Sequence, residues 1–168
     1  MGYFYSKGLK YTGISDKLPE DLKYFSDKVL SYIITIPKDY LEIDEVLSVI
    51  AESTAKEIHL VNTSNNVSFE GRVLAGRKII VTTVTSIKLK YKAEKLNTIN
   101  SLNKLKIIRT IPIIVPEKIN GENIENLIRR EKYSTCIYIE DILLCKISKT
   151  QLRLNISLIS DLKFYNTN

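Results

Sequence analysis

The stretch Lys78-Ile79-Ile80-Val81-Thr82-Thr83-Val84-Thr85-Ser86-Ile87-Lys88-Leu89-Lys90-Tyr91-Lys92 is rich in β-branched residues and reads as one long strand. Its second half alternates strictly, with Ile87, Leu89 and Tyr91 opposed to Lys88, Lys90 and Lys92. Successive side chains of a strand point to opposite faces, so one face is buried and the other is wet. That pattern belongs to an antiparallel sheet with one solvated side.

Working outward, residues 67–74 form a second candidate strand, joined by a turn at Ala75-Gly76-Arg77 where glycine supplies a positive φ. Residues 48–61 read as a long strand ended by the turn run Asn62-Thr63-Ser64-Asn65-Asn66. Residues 32–36 are β-branched and stop at Pro37. Downstream, 97–104 reads as polar connection and 105–115 as a strand. Pro112 within it, lacking an N–H for the ladder, implies an edge or a bulge. Two strands close the chain at 135–148 and 151–160; in the latter Leu152, Leu154, Ile156 and Leu158 oppose Arg153, Asn155 and Ser157.

Three short helical segments are expected beside these strands. Leu18, Leu22, Phe25 and Val29 recur at helical spacing behind Pro19, Glu20 and Asp21, which suit a helix start at about 19–28. Ile43, Val46 and Leu47 share a face if 42–47 is a helical turn. Ile124, Leu127 and Ile128 give a helix over 122–130, after a turn at Asn120-Gly121. The expected fold is therefore mainly β: an antiparallel β-sandwich or open barrel with two or three short helices. Its divisions are an N-terminal arm (1–28), a β domain (29–162) and a C-terminal tail (163–168).

The chain has 168 residues, 44% hydrophobic and 26% charged, enough for one globular core. Two cysteines and one histidine cannot assemble a structural zinc site or a disulfide framework. No apolar run approaches the roughly 18 residues of a membrane span, and no signal peptide is read at the start. Net charge is +6, unevenly spread: residues 1–70 hold 7 basic and 11 acidic side chains, and 71–115 hold 10 basic ones and only Glu94. Such polarity suits an acidic partner or a second copy. Lysine, isoleucine and asparagine abundance also reflects A/T-rich codons.

Little here resembles catalytic machinery, and no enzyme activity or cofactor is expected. His59 alternates with Ile58 and Leu60, so it faces outward without a positioned partner. The pairs Asp44/Glu45 and Glu140/Asp141 are sequence neighbours whose side chains diverge. Gly71 and Gly76 are followed by Arg77-Lys78, which fails the phosphate-loop pattern. Two features remain. Lys88, Lys90 and Lys92 form a candidate surface for a polyanion or a partner, but Tyr91 lies on the opposite face, which argues against nucleic acid. Cys136 and Cys145 read first as buried sheet thiols and secondly as candidate cross-links between copies.

An ordered series of segments resembles the SPOCS-domain family of clostridial sporulation proteins. It comprises Ile36-Pro37, Ile43-Asp44-Glu45-Val46-Leu47-Ser48-Val49, Val61-Asn62-Thr63, Ser68-Phe69-Glu70-Gly71 and Leu74-Ala75-Gly76-Arg77-Lys78-Ile79-Ile80-Val81. Tyr91-Lys92-Ala93, Ile111-Pro112-Ile113-Ile114-Val115 and Ile139-Glu140-Asp141 follow in order, so the likeness spans about 30–160. The family's central histidine segment is replaced here by Ile99-Asn100-Ser101-Leu102-Asn103, and no LysM-like module follows Ser160. The resemblance implies a non-enzymatic structural or morphogenetic protein of the spore coat or exosporium. It would be made in the mother-cell cytoplasm, deposited on the spore surface, and partnered by itself and other spore structural proteins. The alternative expectation is a module binding cell-wall glycan or another polyanion.

Overall fold

The computed structural model describes residues 8–62, 77–94 and 98–165. The expected strand at 67–74, most of the turn at 62–66 and Gly76 of the 75–77 hairpin turn lie outside the described residues. In chain order the elements are β1 (Lys10–Thr12), β2 (Tyr24–Thr35), β3 (Ile43–Asn62), β4 (Arg77–Ala93), β5 (Ile99–Val115), β6 (Lys118–Ile119), β7 (Glu122–Asn123), α1 (Ile124–Arg129), β8 (Tyr133–Lys146) and β9 (Gln151–Phe164). The protein is mainly β, as the alternation implies, and it is not a closed barrel.

Two sheets face each other. One runs β1-β3-β4-β5 and the other β2-β9-β8, with β6 and β7 forming a small separate hairpin. All neighbours pair antiparallel except β1, which joins β3 in parallel. The alternation of β4 is obeyed along its length: Ile79, Val81, Ile87, Leu89 and Tyr91 are buried, and Lys88 and Lys90 are exposed. Leu152, Leu154, Ile156 and Leu158 of β9 meet Ile87, Leu89 and Tyr91 from the opposite sheet in one apolar core. Each such side chain, fully removed from water, contributes about 1.5–3 kcal/mol before entropy is counted.

A second apolar cluster lies at one end, where Ile124 and Leu127 of α1 pack with Ile79, Val81, Ile113 and Val115. Asn123 caps that helix by accepting from the Glu125 N–H at 2.9 Å, and Arg77 reaches Glu125 at 3.0 Å. Between the two clusters sits a hydroxyl layer. Thr83 donates to the Arg109 carbonyl at 3.1 Å, and the Ser53 and Thr85 hydroxyls meet at 2.9 Å. Buried hydroxyls need partners, and these find them within the sheet.

Several sequence expectations are corrected. Residues 19–28 are not a helix: the chain enters β2 at Tyr24 and pairs with β9 along all twelve residues. A β9 strand with a vacant side outweighs a weak helical propensity there. The arm boundary therefore falls before residue 24, and β9 runs through Phe164 rather than ending before a tail. Residues 42–47 are not a helical turn either. Register shifts at Ile43/Glu45 and Val46/Ser48 insert one residue each into β3, so Ile43, Val46 and Val49 all face inward. Two successive bulges convert a period of two into a period of three, which mimics a helix. Residues 99–104 are the start of β5, not a connection, with Ile99 opposite Lys92 and Leu102 opposite Leu89. The expected short helix at 122–130 is present as α1, and Pro112 lies on an edge strand as anticipated.

The N-terminal segment packs on its own domain. Besides pairing β1 with β3, it offers the Tyr11 hydroxyl to the Leu144 N–H at 3.2 Å. Ser15 donates its N–H to the Ile139 carbonyl at 2.8 Å, and its hydroxyl accepts from the Ile139 N–H at 3.1 Å. One flank of the sandwich is thus bridged by the chain itself. The other flank brings the edge strands β2 and β5 side by side, with the Arg109 guanidinium 4.7 Å from the Tyr32 ring centre.

Candidate functional site

Lys88, Lys90 and Lys92 project from β4 onto the outer face of the four-stranded sheet, as the alternation requires. Alternate residues of a strand stand about 6.8 Å apart, so the three amines form a regular row. Tyr91 between them is fully buried and donates its hydroxyl to the Leu41 carbonyl at 3.1 Å. Burial pushes that phenol above its ordinary range, and Tyr40 adds to the shift. The row has a rigid footing.

The structure widens it with two residues that strand reading alone did not single out. Lys10 of β1 stands in register with Ser48, which is itself opposite Lys90. Lys106 of β5 lies opposite Ser86, one step along from Lys88. Among the described residues, none of these five lysines takes part in an ion pair. Three acids share the surface: Glu45 opposite Lys92, Glu52 opposite Ser86 and, further along, Glu57 opposite Thr82. Lys106 was legible as a polar position alternating with Leu105 and Ile107; its place beside Lys88 depends on register, which no local pattern carries. The charge polarity along the chain is also folded away. The acidic β3 and basic β4 are neighbours in one sheet, so among the described residues these two oppositely charged strands lie side by side.

The two cysteines differ. Strict alternation would set Cys136 and Cys145 on opposite faces, but the shift at Ile139/Asp141 puts both on the outer face of the three-stranded sheet. Cys136 is exposed and Cys145 is 4% exposed. The reading of both as buried thiols holds for Cys145 alone, and the cross-link reading fits Cys136 alone. Opposite Cys136 lies Asp161, 1% exposed, with Lys163 Nζ 3.6 Å from its Oδ2 and, among the described residues, no hydrogen bond to either oxygen. Tyr138 stands beside them; burial raises its phenol pKa, and Cys136 raises it further. In native buffer, a thiol reagent is expected to label Cys136 at least about 100-fold faster than Cys145, because labelling of a buried thiol waits for local opening. Mass spectrometry of labelled peptides measures this; equal rates would contradict the burial of Cys145.

His59 is exposed, with Glu57 3.7 Å from its Nε2, so it has surface company rather than an enclosed site. Asp141 spends one carboxylate oxygen on the Ile142 N–H at 2.8 Å, and Glu140 points to solvent, so this pair does not converge. Glycines 71 and 76 lie outside the described residues. A cleft of about 300 Å³ is bordered by Asp21, Lys23, Asn120, Asp161 and Lys163. Among the described residues, no three His, Cys, Asp or Glu side chains come together as a metal group. No helix among them is long and apolar enough to cross a membrane.

The bare flank is the other surface with interaction chemistry. β2 and β5 each have a neighbour on one side only among the described residues. Val29 (65% exposed) and Ile33 project from β2, and Ile108 (56%) and Ile114 from β5. Unpaired backbone beside exposed aliphatic side chains is a template for another strand. No family model matches the chain, and no curated protein or solved structure matches it.

Proposed function

We propose that this protein is a non-enzymatic structural or morphogenetic component of the bacterial spore surface, coat or exosporium, working by self-association and contacts with other spore structural proteins. The observation that carries this reading is the asymmetry of the sandwich. One flank is bridged by the chain's own N-terminal segment, and among the described residues the other has two long strand edges with Val29, Ile33, Ile108 and Ile114 on them. Strand addition across such edges uses main-chain hydrogen bonds and builds dimers or extended arrays without a pocket. The ordered resemblance to SPOCS-domain segments supplies the spore setting, with synthesis in the mother-cell cytoplasm.

Purified protein is expected to form oligomers at low salt, measured by light scattering after size exclusion. Val29→Lys with Ile33→Lys is expected to weaken assembly about tenfold or more, since edge lysines oppose strand pairing. A strictly monomeric profile at high concentration and low salt would remove the assembly role. In a sporulating host, a fluorescent fusion should ring the developing spore; diffuse fluorescence throughout would remove the spore assignment. A second reading, binding of cell-wall glycan or another polyanion, draws on the outward lysines Lys88, Lys90 and Lys92 of the four-stranded sheet.

A further inference from the structure

We infer that the outer face of the four-stranded sheet docks on an anionic phospholipid bilayer, lysines on the headgroups and isoleucines in the interface. Lys10, Lys88, Lys90, Lys92 and Lys106 share that face over three strands, with Glu45 and Glu52 as the acids beside them. Five amines against three carboxylates (Glu57, opposite Thr82, is the third) still leave a positive face, and none of the five is neutralised by an ion pair among the described residues. Charge alone would suit any polyanion.

The isoleucines decide between polyanions. Ile99, 67% exposed, stands directly opposite Lys92. Ile108, 56% exposed, is two residues beyond Lys106 on the same face of β5. Large aliphatic side chains standing free beside a lysine row have no use for a soluble phosphate or uronate polymer, which is held by its charges. They match a headgroup layer, where amines meet phosphates and apolar tips reach the acyl boundary. Nucleic acid would call for aromatic platforms beside the cations, and the described outer positions of β3, β4 and β5 carry no Tyr or Phe. The sheet is stiff and held by Tyr91 beneath, so the face meets a bilayer without an ordering cost in its backbone.

This face shares Ile108 with the β5 edge but not Val29 or Ile33, which lie on the other sheet, and its test uses that difference. The intact protein is sedimented with vesicles of equal parts phosphatidylglycerol and phosphatidylcholine, and with pure phosphatidylcholine, at low and high salt. Binding is expected to the anionic vesicles only, and to fall with salt. Each lysine near an anionic surface multiplies partitioning about fivefold, so Lys88→Ala, Lys90→Ala and Lys92→Ala together should lower it about 100-fold. Ile99→Ser with Ile108→Ser, which leaves the charge intact, should lower it about tenfold. All five positions lie at the surface, and an unchanged melting temperature checks that the variants fold. Val29→Lys with Ile33→Lys should bind vesicles as the parent does, which separates docking from assembly. Absence of binding to the anionic vesicles, or wild-type partitioning by the isoleucine variant, would overturn the inference. Equal or tighter binding to soluble polyphosphate, insensitive to the isoleucines, would overturn it in favour of a polymer.

Discussion

Gly13→Ala is expected to lower the unfolding free energy by about 3 kcal/mol and to release the N-terminal segment from both sheets. Gly13 has φ +106°, and a Cβ built there would lie 1.8 Å from the Ala51 carbonyl oxygen. Neither problem can be relieved locally. Ala51 is fully buried in the middle of β3, so its backbone cannot retreat, and an L-residue at that φ is strained in any case. The segment must therefore shift, and with it go the β1 ladder, the Tyr11–Leu144 bond and the two Ser15–Ile139 bonds. Gly8→Ala is the control. Its φ is +103° but nothing lies within 4 Å of the added carbon, so only the backbone strain, about 1 kcal/mol, is at stake. Urea denaturation measures the loss, and limited proteolysis should cut the Gly13 variant near its start while leaving the parent intact. An unchanged midpoint would mean that this segment does not hold the flank closed.

Leu154→Ala should cost about 3–4 kcal/mol, a large part of the stability of a domain of this size. Leu154 is completely buried on β9, in register with Tyr32 of β2 on one side and Leu144 of β8 on the other. Its truncation leaves a cavity facing the opposite sheet, which two rigid sheets can only partly collapse. Val29→Ala on the same sheet, but on its solvent face, should change stability by less than about 0.5 kcal/mol. Chemical denaturation of both variants tests the pair. A loss below about 1 kcal/mol for Leu154→Ala would mean that the two sheets do not share one core.

The surfaces proposed for function were legible to different depths. The row of Lys88, Lys90 and Lys92 was plain from alternation, because a strand inside a sheet keeps its period of two where no bulge intervenes. Where bulges do intervene, the local pattern misleads. Ile43, Val46 and Val49 repeat every three residues and imitate a helix, and the bulge at Ile139/Asp141 puts two thiols of opposite parity on one face. Residues 24–28 read as the end of a helix because Leu18, Leu22, Phe25 and Val29 happen to recur at helical spacing. The strand forms because β9 offers twelve residues of backbone to pair with. Lys10 and Lys106 joined the lysine face only through cross-strand register, a property of two segments and not of either alone.

By itself, the sequence determined that this protein is a mainly β sandwich-like domain with one solvated lysine-bearing face, because alternation and β-branching act residue by residue. It also confined Pro112 to an edge or a bulge, since a missing N–H is a local fact. Only the tertiary structure decided which flank the chain closes for itself, which two edges lack a second neighbour among the described residues, and which cysteine reaches water. Those outcomes depend on strand order and register, set by the summed burial of segments far apart in the chain, and no short stretch encodes them.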